Sequence, residues 1–159
     1  MRDPADALQA TFDSFRTKLI ARSGFTMPSH QFIATGQVAS DCEAFFVQGM
    51  NIYQGKPHSQ QSGYQETGGF QTFAFDIVVT LERCVPGPNA AGRPPTAPQL
   101  SAAALNAASD AQALTETFYL AAEDNSLTGE CNIVHNAGVS WSGPQGNLLR
   151  TTLALAIEL

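Results

Sequence analysis

Residues 73–100 read FAFDIVVTLERCVPGPNAAGRPPTAPQL: a strand, a proline and glycine break, and the start of a helix. The odd positions carry Phe73, Phe75, Ile77, Val79 and Leu81, while the even ones carry Ala74, Asp76, Val78, Thr80 and Glu82. Successive side chains of a strand point to opposite faces, so this alternation predicts a half-buried β-strand. Pro86, Gly87, Pro88, Gly92, Pro94 and Pro95 then exclude a regular element, because proline lacks a donor and glycine has no preferred backbone basin. Leu100, Ala104, Ala107, Ala111, Leu114, Phe118 and Ala121 follow at alternating steps of four and three, which places one narrow apolar face on a helix. Thr96 is the expected N-cap, with Ala97 and Pro98 in the first turn, where a missing N–H costs little. The alanines let this helix approach a sheet closely, so it is expected to lie across the strand.

Four short pieces of this chain occur in a recognisable order: Asp41-Cys42, Arg83-Cys84-Val85-Pro86, Pro94-Pro95-Thr96-Ala97 and Gly143-Pro144-Gln145-Gly146. In that order and spacing the chain resembles the tail terminator proteins of long, non-contractile-tailed phages, especially those of actinobacterial hosts. Gln145 stands where that pattern has glutamate, and Asn147 where it has glycine. The resemblance implies a hexameric ring at the head-proximal end of a tail tube. Such a ring stops tube polymerisation and offers a surface for head joining. The implied partners are further copies of the chain, the tail tube protein and a head-completion or neck protein, with DNA passing through the channel without specific binding.

The whole chain fits that picture. Its 159 residues are the size of one domain, expected to run from 1 to 159. Hydrophobic content is 43% and only 14% of residues are charged, which suits either a subunit covered by neighbours or a surface rich in Gln, Ser and Thr. A net charge of −6 and a pI near 4.8 argue against a protein that grips nucleic-acid phosphates. No apolar run has membrane-spanning length, and MRDPADALQ lacks the apolar core of a signal peptide, so no membrane is expected as a partner. The expected location is a virion, in the neck region of the tail, assembled in the host cytoplasm. Cys42, Cys84 and Cys131 form no C-x-x-C pair; buried reduced thiols are expected, although two of them can pair if their strands are adjacent.

Taken in order, Asp3-Pro4 opens a first helix whose Leu8, Phe12, Phe15 and Leu19 make one stripe, and Gly24 ends it. Gln31 to Val38 is a short strand broken by Gly36. Cys42 to Tyr53 is a firmer one, with Ala44, Phe46, Met50 and Ile52 on one face and Phe45, Val47 and Tyr53 on the other. Residues 54–69, QGKPHSQQSGYQETGG, form a long polar hairpin tip. The tip is either a plain surface loop or a segment that orders on a partner. In the second reading Gln54, His58, Gln60, Gln61, Tyr64 and Gln65 touch the tube or the next subunit. Gly129 to Trp141 reads as an irregular strand or arm, Gly143 to Gly146 as a turn, and Leu149 to Leu159 as a second clear alternation that pairs with Phe73 to Leu81. The expected fold is α+β: a mostly antiparallel sheet of about four strands, two helices on one face and a long hairpin.

No residues announce catalysis. His30, His58 and His135 lie far apart without ligand spacing, and no nucleophile elbow or phosphate loop occurs, so no metal, cofactor or enzymatic activity is expected. Asp76 and Glu82 share the polar face of one strand and are candidates for the channel lining, where like charge keeps DNA from sticking. The rivals to a terminator are another neck or connector ring (a head-completion or stopper protein), a tail tube subunit, a small α+β enzyme using Asp76, Glu82 or Cys84, and a monomeric binding module using the Gln-rich hairpin.

Overall fold

The computed structural model describes residues 2–36, 42–55, 72–127, 134–145 and 147–159. In chain order the elements are α1 (Pro4–Ala21), β1 (His30–Ala34), β2 (Ala44–Gln54), β3 (Phe73–Cys84), α2 (Ala97–Glu123), β4 (Val134–Gln145) and β5 (Leu148–Glu158). The strands form one sheet in the order β1-β2-β3-β5-β4. β1 runs parallel to β2, and every other pair is antiparallel. The protein is therefore α+β, with five strands where the sequence pattern suggested about four. β4 is the stretch read as an irregular strand or arm, and it pairs along nearly all of β5.

β3 occupies the centre of the sheet, and its alternation builds the core as expected. Phe75, Ile77 and Val79 sit opposite Ile157, Leu155 and Leu153 of β5, and Val79 and Leu81 sit opposite Val47 and Phe45 of β2. All of these are buried, together with Phe15 and Leu19 of α1 and Leu114, Phe118 and Ala121 of α2. Both helices thus cover the same face, α1 over β1 and β2, α2 over β4 and β5. Their mutual contact is closed by Lys18 with Asp124 and Arg22 with Glu116.

The helix starts follow the capping chemistry. The Asp3 carboxylate accepts the Ala5 N–H at 2.8 Å, with Pro4 leading α1, and the Gln99 side chain accepts the Thr96 N–H at 2.9 Å at the head of α2. The apolar stripe of α2, however, is buried only from Ala107 onward. Leu100 is 46% exposed and Leu105 69% exposed, so over the first ten residues of the helix, about 15 Å at 1.5 Å each, only Ala103 packs inward, against Val85 and Leu149.

β2 departs from its expected faces. Gly49 pairs with Ile77 but Asn51 with Asp76, so Met50 is an extra, bulged residue. Beyond it the alternation reverses: Ile52 comes opposite Phe75 on the helix side, while Asn51 and Tyr53 join the other face. The grouping of Met50 and Ile52 with Ala44 and Phe46 is corrected accordingly. Gly49 is required beside the bulge, because a Cβ there would stand 2.6 Å from Cζ of Phe75.

The Gly143-Pro144 pair also differs from expectation. It lies inside β4, where the register shifts between Ser142 and Gln145, and the chain reverses one step later, before Leu148. The carbonyl of Asn147 in that reversal accepts the Val85 N–H at 2.7 Å, so the β4–β5 turn closes onto the end of β3.

Candidate functional site

Ala44 pairs with Glu82, and the same antiparallel register extended by two residues sets Cys42 against Cys84. The two form a disulfide, with their Cα atoms 5.0 Å apart. This corrects the expectation of reduced thiols for these two positions, and it removes Cys84 as a free nucleophile. Cys42 stands just before β2 and Cys84 ends β3, and adjacency of those two strands is the one sequence signal for the pairing.

Around the disulfide a single cation gathers three segments. Arg83 donates from Nε and Nη2 to the two carboxylate oxygens of Asp110 on α2, at 2.9 and 3.0 Å, and from Nη1 to Glu43 at 3.2 Å. Its guanidinium carbon lies 5.3 Å from the centre of the Phe25 ring. Burial alone would lower the pKa of Arg83, but its bonds and charge interactions with Asp110 and Glu43 outweigh that and hold it above the ordinary value. Cys42 and Glu43 have φ of 44° and 55°, a left-handed conformation that side chains seldom adopt. Three bonds hold it besides the disulfide: Glu43 accepts the Cys84 N–H and Arg83 through its carboxylate, and the His30 N–H through its carbonyl.

The start of α2 and the β4–β5 turn reach the same end of the sheet. Val85, Leu149 and Ala107 form a small buried cluster against which Ala103 packs. Of the residues that carry the resemblance, Cys42, Arg83, Cys84 and Val85 are thus neighbours in space, at the ends of β2 and β3, where Asn147 of the β4–β5 turn bonds to Val85 and Asp110 anchors α2.

The face of the sheet away from the helices holds the acids expected in a channel lining. Asp76 is half-buried between Asn51 and Ala156. Glu82 is fully buried, and its Oε1 accepts Nε of Arg150, directly opposite on β5, at 2.8 Å. Its Oε2 is buried with no hydrogen-bond partner. Glu82 therefore offers no free surface charge in the single chain, and of the two acids only Asp76 meets solvent. Of the hairpin residues, Gln54 ends β2 and is exposed, while His58, Gln60, Gln61, Tyr64 and Gln65 lie outside the described residues. Among the described residues no cluster of His, Cys, Asp and Glu is arranged to hold a metal ion, and no helix is long and apolar enough to cross a membrane.

No protein-family model matches the chain, and no curated protein matches it.

Proposed function

We propose that this chain is a tail terminator of a long, non-contractile-tailed phage, a subunit of a hexameric ring that caps the finished tube and receives the head's neck proteins. One observation supports the reading: four residues of the resemblance, Cys42, Arg83, Cys84 and Val85, come together at one end of the sheet, where the disulfide, the Arg83 clasp onto α2 and the β4–β5 turn meet.

The proposed mechanism is geometric and no bond is broken. β1 and β4 are the two edges of the sheet, so their outer backbone groups are available to neighbours. Heterologous contacts close into a ring when the rotation between copies closes. Asp76 and the polar sheet face around it would look into the channel. A low charge fraction suits surfaces that neighbouring copies cover.

The test is a polymerisation assay with the tube protein of the same particle. A terminator added at a small fraction of the tube protein's concentration halts growth, and particle imaging finds it at the tube's head-proximal end. A chain that incorporates along the tube is instead a tube subunit. One that leaves growth unchanged and sits above the tube end is a stopper, and one found away from any particle ends the proposal.

A further inference from the structure

From Val85 to Ser109 the chain has 25 residues and one charge, Arg93, and apart from Val85, Ala103 and Ala107 most of them are exposed. This surface is built and presented, not loose. The Asn89 side chain accepts the N–H groups of Ala91 and Arg93, both at 3.0 Å, and the Asn89 carbonyl accepts the Gly92 N–H at 2.8 Å, which fixes the tip carrying Arg93. Leu100 and Leu105 follow, both exposed, in the first turns of α2.

Arg93 also differs from every other described cation. Arg2 donates to the Leu127 carbonyl, Arg16 to Gln31, Lys18 and Arg22 to Asp124 and Glu116, Arg83 to Asp110 and Glu43, and Arg150 to Glu82. Among the described residues the Arg93 side chain alone has no such partner.

The opposite end of the same helix carries the converse arrangement. Tyr119 and Leu120 are 62% and 54% exposed on the outer face of α2, and one turn on stands the exposed carboxylate of Glu123, also without a partner among the described residues. The start of α2 thus carries exposed leucines and an unpaired cation ahead of it, and its far end exposed Tyr119 and Leu120 with an unpaired anion. The two cannot meet within one chain, because the helix holds Leu100 and Leu120 about 30 Å apart, 20 residues at 1.5 Å each.

We infer that the projecting start of α2, with Arg93, docks head to tail on the Tyr119–Leu120–Glu123 face of a second copy of this chain. A partner of unrelated chemistry is disfavoured because the complementary surface is already present in the chain. Between two molecules of net charge −6 an opposite-charge contact also offsets part of the mutual repulsion. Because the contact joins different surfaces it propagates, closing as a ring or running on as a filament. The inference deepens the ring reading but does not need the tail to be its setting.

A photo-crosslinking residue in place of exposed Asn106, beside Leu105, tests it in the full chain. The expected products are a concentration-dependent ladder of multimers with cross-links falling within residues 112–124. Arg93→Glu lowers the yield about tenfold, because an attractive pair becomes a repulsive one. Glu123→Arg in the same molecule restores it. The absence of multimers at the highest soluble concentration, cross-links mapping elsewhere, or a double variant no better than the single one overturns the inference. Multimers with the expected cross-links from a chain that fails to halt tube growth would leave this contact standing and remove the terminator reading instead.

Discussion

Replacing Asp110 by alanine strips Arg83 of its bidentate partner while the guanidinium remains inside the fold. The Arg83 and Asp110 side chains are only 17% and 6% exposed, so the separated cation cannot simply return to water. Removing one member of a buried ion pair costs about 3–5 kcal/mol. Glu43 still takes Nη1, and its own side chain is 40% exposed, which puts the expected loss at the lower end, about 3 kcal/mol. For a chain of this size that is a fall in Tm of about 6–12 °C. Urea unfolding followed by circular dichroism measures it directly, and the midpoint should drop with an unchanged m-value, since the surface exposed on unfolding stays the same. The paired replacement Arg83→Met with Asp110→Leu removes both charges and should lie within about 1 kcal/mol of the parent, because an apolar pair of similar volume carries no desolvation penalty. An Asp110→Ala protein within about 0.5 kcal/mol of the parent would show that the clasp does not hold α2 to β3, and the account of this corner would fail with it.

Three further outcomes follow from the same geometry. Reducing Cys42–Cys84, whose residues are 42 apart in sequence, should lower unfolding free energy by about 4 kcal/mol from loop-closure entropy; denaturant midpoints with and without reductant measure it, and equal midpoints would contradict it. Gly49→Ala forces a Cβ against the Phe75 ring and should cost about 1–3 kcal/mol in thermal unfolding, part of which Phe75→Leu in the same chain recovers. Hydrogen bonds from Arg22 and Lys18 hold the carboxyls of Glu116 and Asp124 below their ordinary values of 4.5 and 3.8. Carboxyls lowered on folding add stability that is present above those ordinary values and lost as pH falls through the folded ones. Acid titration of the parent should therefore lose a stability increment below about pH 4.5 that Arg22→Gln and Lys18→Gln variants do not show.

Much of the architecture could be read from periodicity. The alternation of β3 and β5 and the stripes of α1 and α2 identify elements, faces and the central pairing, since a period of two or 3.6 is a direct record of which side meets the core. What escaped that reading depends on neighbours in space. The bulge at Met50 needs the register of β2 against β3, and only Gly49 hints at it. The depth of Glu82 was hidden because alternation assigns a side chain to a face without saying what lies across from it, here Arg150. Alanines are equally at home under a sheet and in water, so the stripe of α2 gave no sign that Leu100 and Leu105 lie past its edge. β1 was legible only in outline, being short and parallel to its neighbour. Of the candidate site, Asp76 and Gln54 are found on the surface, whereas of the corner around Arg83 only Cys42, Arg83, Cys84 and Val85 were visible, as fragments of a resemblance, with nothing to point to Glu43 or Asp110.

That corner is fastened twice, by unrelated chemistries. A reductant opens the sulfur link and leaves the guanidinium clasp, and salt screens a pair this buried only weakly. Neither change undoes both. A chain made in one compartment and put to use in another can therefore keep its shape throughout the passage.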